Sequence, residues 1–259
     1  MEAAMKIARQ FFLEKQDPEP QRTHFISRSQ SYHGTTLGSL SMGGHVYRRA
    51  NFEPMLIPNI SKVSPCYAYR GKRQGETDVQ YVERLASELE QEFQRVGPER
   101  VCAFVAEPVV GAVGVPLPRI SVADRLTLLF QALGCVPPVP GYFKAMHAVC
   151  KKYGALLILD EVMSGMGRTG TLHAWEQEGI APDIQTIGKC LGGGYQAIAG
   201  VLLGNRVVDA FEKGTGYVDI SLSFLSRTDR VQSFRPWSYL PGPPNWMCGR
   251  PGSPNYYSG

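Results

Sequence analysis

A chain of 259 residues that is 43% apolar is long enough to bury one large core, with room for a poorly packed appendage. Its formal net charge of +4 comes from 27 basic and 23 acidic side chains spread along the chain. There is no basic run or set of interleaved aromatics such as a nucleic-acid groove needs, so nucleic acid is not an expected partner. Cys66, Cys102, Cys135, Cys150, Cys190 and Cys248 include no C-x-x-C pair, so neither a zinc site nor a disulfide framework is expected. Reduced thiols in an intracellular compartment, cytoplasmic by default, are. No apolar stretch approaches the length of a membrane span, and no signal-peptide core follows Met1.

In chain order, Ala4, Ile7, Ala8, Phe11 and Phe12 follow helical spacing, but no capping residue precedes them. The chain is therefore expected to begin inside a helix, and this keeps a mitochondrial location open. Thr23 to Ser27 reads as a strand, followed by Tyr32-His33-Gly34-Thr35-Thr36, a turn opening a second helix. Val101 to Ala106 is a continuous apolar run ending in Glu107-Pro108, and Ala155 to Leu159 is another ending in Asp160-Glu161. Such runs fit parallel strands buried on both faces. Tyr142 to Tyr153 has helical spacing and stops at Gly154, a plausible cap. Ile184 to Ile187 and Ile198 to Leu203 supply two more strands, and Val207 to Lys213 a last helix. Strands alternating with helices predict an α/β domain with a mainly parallel sheet flanked by helices.

In such sheets chemistry gathers at the C-terminal ends of strands, where Glu107, Asp160 and Lys189 all fall. Lys189 lies in Thr186-Ile187-Gly188-Lys189-Cys190-Leu191-Gly192-Gly193-Gly194-Tyr195. A short apolar strand leading into this glycine-rich turn is expected to desolvate its amine, which makes it a nucleophile toward an aldehyde. An apolar run ending in Asp-Glu also fits the magnesium-binding strand of an ATPase, which requires G-x-x-x-x-G-K-[ST] elsewhere. Here Cys190 follows Gly188-Lys189, and Asp183 stands where the first glycine belongs, so that reading fails twice. Taken singly, Tyr32 reads as a core aromatic, His33 as a turn histidine, Glu107 as a strand end and Arg168 as a structural residue.

Taken together and in order, four motifs resemble the class III pyridoxal-phosphate aminotransferases. They are Tyr32-His33-Gly34, Glu107-Pro108, Leu159-Asp160-Glu161-Val162 running on through Gly165-Met166-Gly167-Arg168-Thr169-Gly170, and Thr186-Ile187-Gly188-Lys189. The resemblance covers residues 1–216 apart from one stretch, and implies most of the large domain of a fold type I-like transferase, incomplete at both ends. It implies pyridoxal 5'-phosphate as cofactor, an amino donor and a keto-acid or aldehyde acceptor as substrates, a homodimer, and no metal. By resemblance, Lys189 is the catalytic lysine that bonds the cofactor and later moves the proton at the substrate carbon. Asp160 keeps the pyridine nitrogen protonated, Tyr32 stacks on one ring face, Val162 packs on the other, and His33 and Glu107 line the site. Met163 stands where many members carry a glutamine near the ring hydroxyl, which weakens that contact. The family's phosphate-binding turn would fall just before Met1, and no small C-terminal domain is recognisable after Gly216. A catalytically inactive fragment, or an interaction partner of the full-length enzyme, is the alternative that this leaves.

Two stretches read more simply as nucleic acid than as protein. Val113 to Gln131 interrupts an otherwise family-like junction from Ala112 to Ala132; it can open with a GT donor in the Val113 codon and close with a CAG at Gln131. It is expected to be an unspliced, in-frame intron, with an inserted amphipathic helix from Val122 to Leu133 as the protein-level alternative. Tyr217 to Gln232, with the last base of Gly216, can encode a second intron whose length is not a multiple of three. Ser233 to Gly259 would then be read out of frame. In the shifted frame this segment can encode a stretch resembling the family's next motif, whose threonine reaches the cofactor phosphate of the neighbouring subunit. Residues 217–259 are thus expected to be an out-of-frame or disordered tail, with a genuine proline-rich binding tail as the competing reading.

Overall fold

A strand buried on both faces is favoured by a continuous apolar run, and Val101–Ala106 and Leu156–Asp160, apolar up to its closing aspartate, are of this kind. The computed structural model describes residues 1–111 and 135–215. Its strands are β1 (His24–Arg28), β2 (Ile60–Val63), β3 (Val101–Ala106), β4 (Leu156–Asp160), β5 (Ile184–Ile187) and β6 (Gly200–Leu203). They form one sheet in the order β2-β1-β3-β4-β5-β6, in which the first five strands run parallel and β6 is antiparallel to β5. The mainly parallel α/β architecture read from the sequence is the one observed. All described residues belong to one compact unit.

The helices are α1 (Glu2–Glu14), α2 (Leu37–Met42), α3 (Val46–Arg49), α4 (Ala68–Gly71), α5 (Asp78–Val96), α6 (Tyr142–Lys152) and α7 (Asn205–Lys213). They cover both faces. On one, Ile7 and Phe11 of α1 and Phe211 of α7 pack against Phe25, Val105 and Ile158. On the other, Leu85, Leu89 and Phe93 of α5 and Met146 of α6 pack against Phe104 and Leu157. Side-chain alternation breaks once along β3, where Cys102 and Ala103 both face the α1 layer. The register explains it, since His24 pairs with Val101 while Phe25 pairs with Ala103, leaving Cys102 as an extra residue in a bulge.

Four elements are absent from the sequence reading, two of them the single-turn helices α3 and α4. β2 is short and half-buried, with Ser61 and Lys62 at its centre, so it carries no apolar run. α5 is long and opens on a Thr77/Gln80 capping box. The other elements agree with the sequence within one or two residues, the ordinary uncertainty of element ends. Residues 113–131 and 217–259, expected to be an insert and a tail, lie outside the described residues, apart from the flanks that the structure does show. Among the described residues, no helix is long and apolar enough to cross a membrane.

The topology places a crevice. From β1 the chain moves outward to β2, then returns across β1 to β3, so β1 and β3 are neighbours with connections leaving in opposite directions. In open α/β sheets the space outside the carboxyl ends of two such strands is where ligands bind. The loop after β1 carries Tyr32 and His33, and Glu107 directly follows β3.

Candidate active site

Three of the sequence candidates are joined around one carboxylate. Asp160, the last residue of β4, is buried. His33 Nδ1 lies 2.8 Å from its Oδ2, and because an ionised carboxylate only accepts, the proton of this bond sits on His33. The Val162 amide donates to Oδ1 at 3.2 Å, and the Thr186 hydroxyl donates to the same oxygen at 3.0 Å. Burial works against charge on Asp160, but the bonds from His33, Val162 and Thr186 outweigh it and hold the carboxyl below its ordinary range.

Glu107 organises the other side of the crevice. Its Oε1 accepts the Tyr32 N–H at 2.9 Å and its Oε2 the Gly111 N–H at 3.0 Å. Its own carbonyl accepts from the buried Arg28 guanidinium, which lies 5.9 Å from the ring centroids of Tyr142 and Phe143. The Tyr32 ring is half-buried, and Arg48 is stacked 4.7 Å over its centroid. Val162 packs against Gly188, where a Cβ would lie 3.3 Å from its Cγ1. Met163 packs against Gly111, where an added Cβ would lie 2.2 Å from the Met163 sulfur.

Lys189 corrects one expectation. Its side chain is exposed, not desolvated. The strand ends at Ile187, and Lys189 opens a single 3₁₀ turn with φ of 46°, in the left-handed region, which carries it past the end of the sheet. Residues 193–199 beyond it are exposed as well, so the turn does not fold back over the amine. The structure therefore gathers Tyr32 with Glu107, and His33 with Asp160 and Val162, while Lys189 stands at the end of the adjacent strand in contact with solvent.

Sequence reasoning passed over two residues of this site, Thr186 and Arg28. The signal for Thr186 was present: Gln185 and Thr186 are two polar residues inside a strand whose burial is complete, and buried polar groups need partners. Gln185 finds its partners on the loop side, accepting from Trp175 Nε1 at 3.0 Å and meeting His173 Nδ1 at 2.8 Å. Glu161, beside Asp160, points to the same loop and accepts the Ala174 and Trp175 amides at 2.9 and 3.0 Å. Burial pushes its carboxyl up to about 7, against the pull of those two bonds.

The sheet thus carries a charged aspartate at the end of β4 and a lysine in the turn after β5. The aminotransferase class-III family model matches residues 1–131 and 129–219, and the chain belongs to that family. It is 54% identical over 217 residues to an aminotransferase of Gibberella zeae, covering 83% of this chain and 39% of that one. An uncharacterized aminotransferase of Schizosaccharomyces pombe is 55% identical over 195 residues, covering 75% of this chain and 38% of its own. Among solved structures, a thermostable omega transaminase mutant from Pseudomonas jessenii superimposes with a TM-score of 0.71 at 30% identity. That match covers 86% of this chain and 45% of the other. The chain thus spans less than half the length of these relatives.

Proposed function

We propose that this chain carries the core of a pyridoxal-phosphate aminotransferase site, moving an amino group from an amino donor to a keto acid or aldehyde. The residues present fit the cofactor: a buried carboxylate for a protonated ring nitrogen, an aromatic ring and a branched apolar side chain for the two ring faces, and a primary amine for the aldehyde. Pyridoxal phosphate, when bound, supplies that aldehyde and a ring that accepts electrons from the substrate carbon. Asp160 keeps its charge and would hold the ring nitrogen with it. Tyr32 and Val162 would hold the ring from its two faces, and His33 and Glu107 hold Asp160 and the Tyr32 backbone in place. The Lys189 amine would hold the cofactor through its aldehyde and would serve as the base for the proton at the substrate carbon. In this reading the working form is a homodimer, as the family resemblance implies.

The observation that carries the reading is the Asp160 carboxylate, charged despite burial and held by three donors, on the strand next to the one that leads into Lys189. Titration of the purified chain with pyridoxal phosphate tests it. The expected result is a visible absorbance band that disappears in Lys189→Ala; a band of equal size in the variant, or none in either protein, would overturn cofactor binding by this chain. The exposure of Lys189 favours a second reading, a catalytically silent fragment that associates with a full-length aminotransferase. Sedimentation with and without such an enzyme separates the two.

A further inference from the structure

Resting on the cofactor site just proposed, we infer that Thr186 is a positioning residue whose hydroxyl fixes the plane of the Asp160 carboxylate and keeps its charge available to the ring nitrogen. Thr186 and Asp160 are direct partners in the parallel pairing of β5 with β4, so the hydroxyl and the carboxylate emerge side by side at the strand ends. Thr186 is 2% exposed, so no solvent competes for its hydroxyl. Its carbonyl accepts the Glu161 N–H at 2.9 Å, which pins the backbone that carries the side chain. A β-branched side chain on a pinned strand has little rotational freedom, and its hydroxyl is therefore aimed.

With Thr186 and the Val162 amide on Oδ1 and His33 on Oδ2, three of the roughly four acceptor positions of the carboxylate are used. One acceptor position is left over for the ring nitrogen. Removing the hydroxyl frees the carboxylate to turn and leaves a buried charge with one donor fewer. Of the titratable groups, His33 from the loop after β1 bonds Asp160 directly and Glu161 is its neighbour in the chain, while Glu107 follows the adjacent strand β3 and Lys189 follows the adjacent strand β5.

The test uses the full chain, with Thr186→Val keeping the shape and removing the hydroxyl, and Thr186→Ser restoring it. Thr186→Ala replaces the valine variant if that one does not fold. One readout needs no cofactor. Asp160 sits below its ordinary carboxyl value of 3.8, so its stabilisation is present above that pH and is lost as pH falls through the lower folded value. In Thr186→Val the folded value moves back toward 3.8, so the acid-dependent loss is smaller and is complete at higher pH, while Thr186→Ser follows the native acid limb. The second readout is affinity for pyridoxal phosphate, expected to fall about tenfold in Thr186→Val and to be retained in Thr186→Ser, as befits one hydrogen bond to a charged group. Native acid limb and affinity in Thr186→Val, or a serine variant as impaired as the valine one, would overturn the inference. If the native chain binds no cofactor, the proposed function fails, and the acid limb alone decides whether Thr186 holds Asp160.

Discussion

Asp160 and Glu161 are neighbours in sequence and are driven in opposite directions by their surroundings. Asp160 has three donors, one of them an imidazole, and keeps its charge. Glu161 has only two backbone amides, and burial raises it to about 7 from 4.5. Stability linked to the proton on Glu161 is fully present below about pH 4.5 and is lost as pH rises through about 7. Glu161→Gln removes this dependence, so between about pH 5 and pH 8 it should lose less stability than the native chain, by on the order of 2 kcal/mol. Urea unfolding at the two pH values measures the difference; equal losses would show that Glu161 does not titrate there. Gly44 poses a steric case. A Cβ there would lie 1.8 Å from the Ser29 carbonyl oxygen and 2.2 Å from its carbon, which are backbone atoms that cannot swing aside. Gly44→Ala should destabilise the chain by about 2–3 kcal/mol. Because the displaced loop carries Tyr32 and His33, cofactor affinity should fall along with the melting temperature.

At the scale of elements, α5 shows how a helix is specified and how it is missed. The Thr77 hydroxyl accepts the Gln80 amide at 3.2 Å, and the Gln80 side chain accepts the Thr77 amide at 3.0 Å. Tyr81, Leu85, Leu89 and Phe93 then recur every fourth residue and are buried against the sheet. Thr77→Ala should cost about 1 kcal/mol and Thr77→Ser very little, as thermal melts of both variants would show. All of this is written in the residues, yet no element is expected there when attention goes to the apolar runs and glycine turns that carry motifs. β2 is different. A four-residue edge strand with Lys62 at its centre is set by pairing with β1, and no local signal distinguishes it from a loop.

At the scale of the whole molecule, the flanks of the expected insert are informative. Val110 and Val136 form an antiparallel bridge, each donating its amide to the other's carbonyl at 3.0 and 3.1 Å. The two flanks of the stretch are therefore held together at one place, outside the strands of the sheet. Without residues 113–131, Gly111 and Ala112 would join Ala132 to Cys135 in a short loop of ordinary length across that bridge. The two family matches also meet within this stretch. A chain with residues 113–131 deleted should melt within about 4 °C of the native one or above it, since loop closure changes slowly with length. Failure of the deleted chain to fold would mean that the stretch is an integral helix. Sequencing the transcript across Ala112–Ala132 and Gly216–Ser233 shows directly whether either segment is spliced out.

Local composition by itself determined the class of fold and the identity of its strand-end residues. Buried parallel strands favour continuous apolar runs, and the residue that ends each run is the first that can be polar. Glu107, Asp160 and the turn holding Lys189 were legible for that reason. What only the tertiary structure decided is which of these groups meet. The His33–Asp160 bond joins residues far apart in sequence, and the Thr186 hydroxyl reaches Asp160 only because β5 lies beside β4 in that register. The exposure of Lys189 is likewise a property of the whole fold, because burial depends on what packs over a side chain and not on the strand that leads to it.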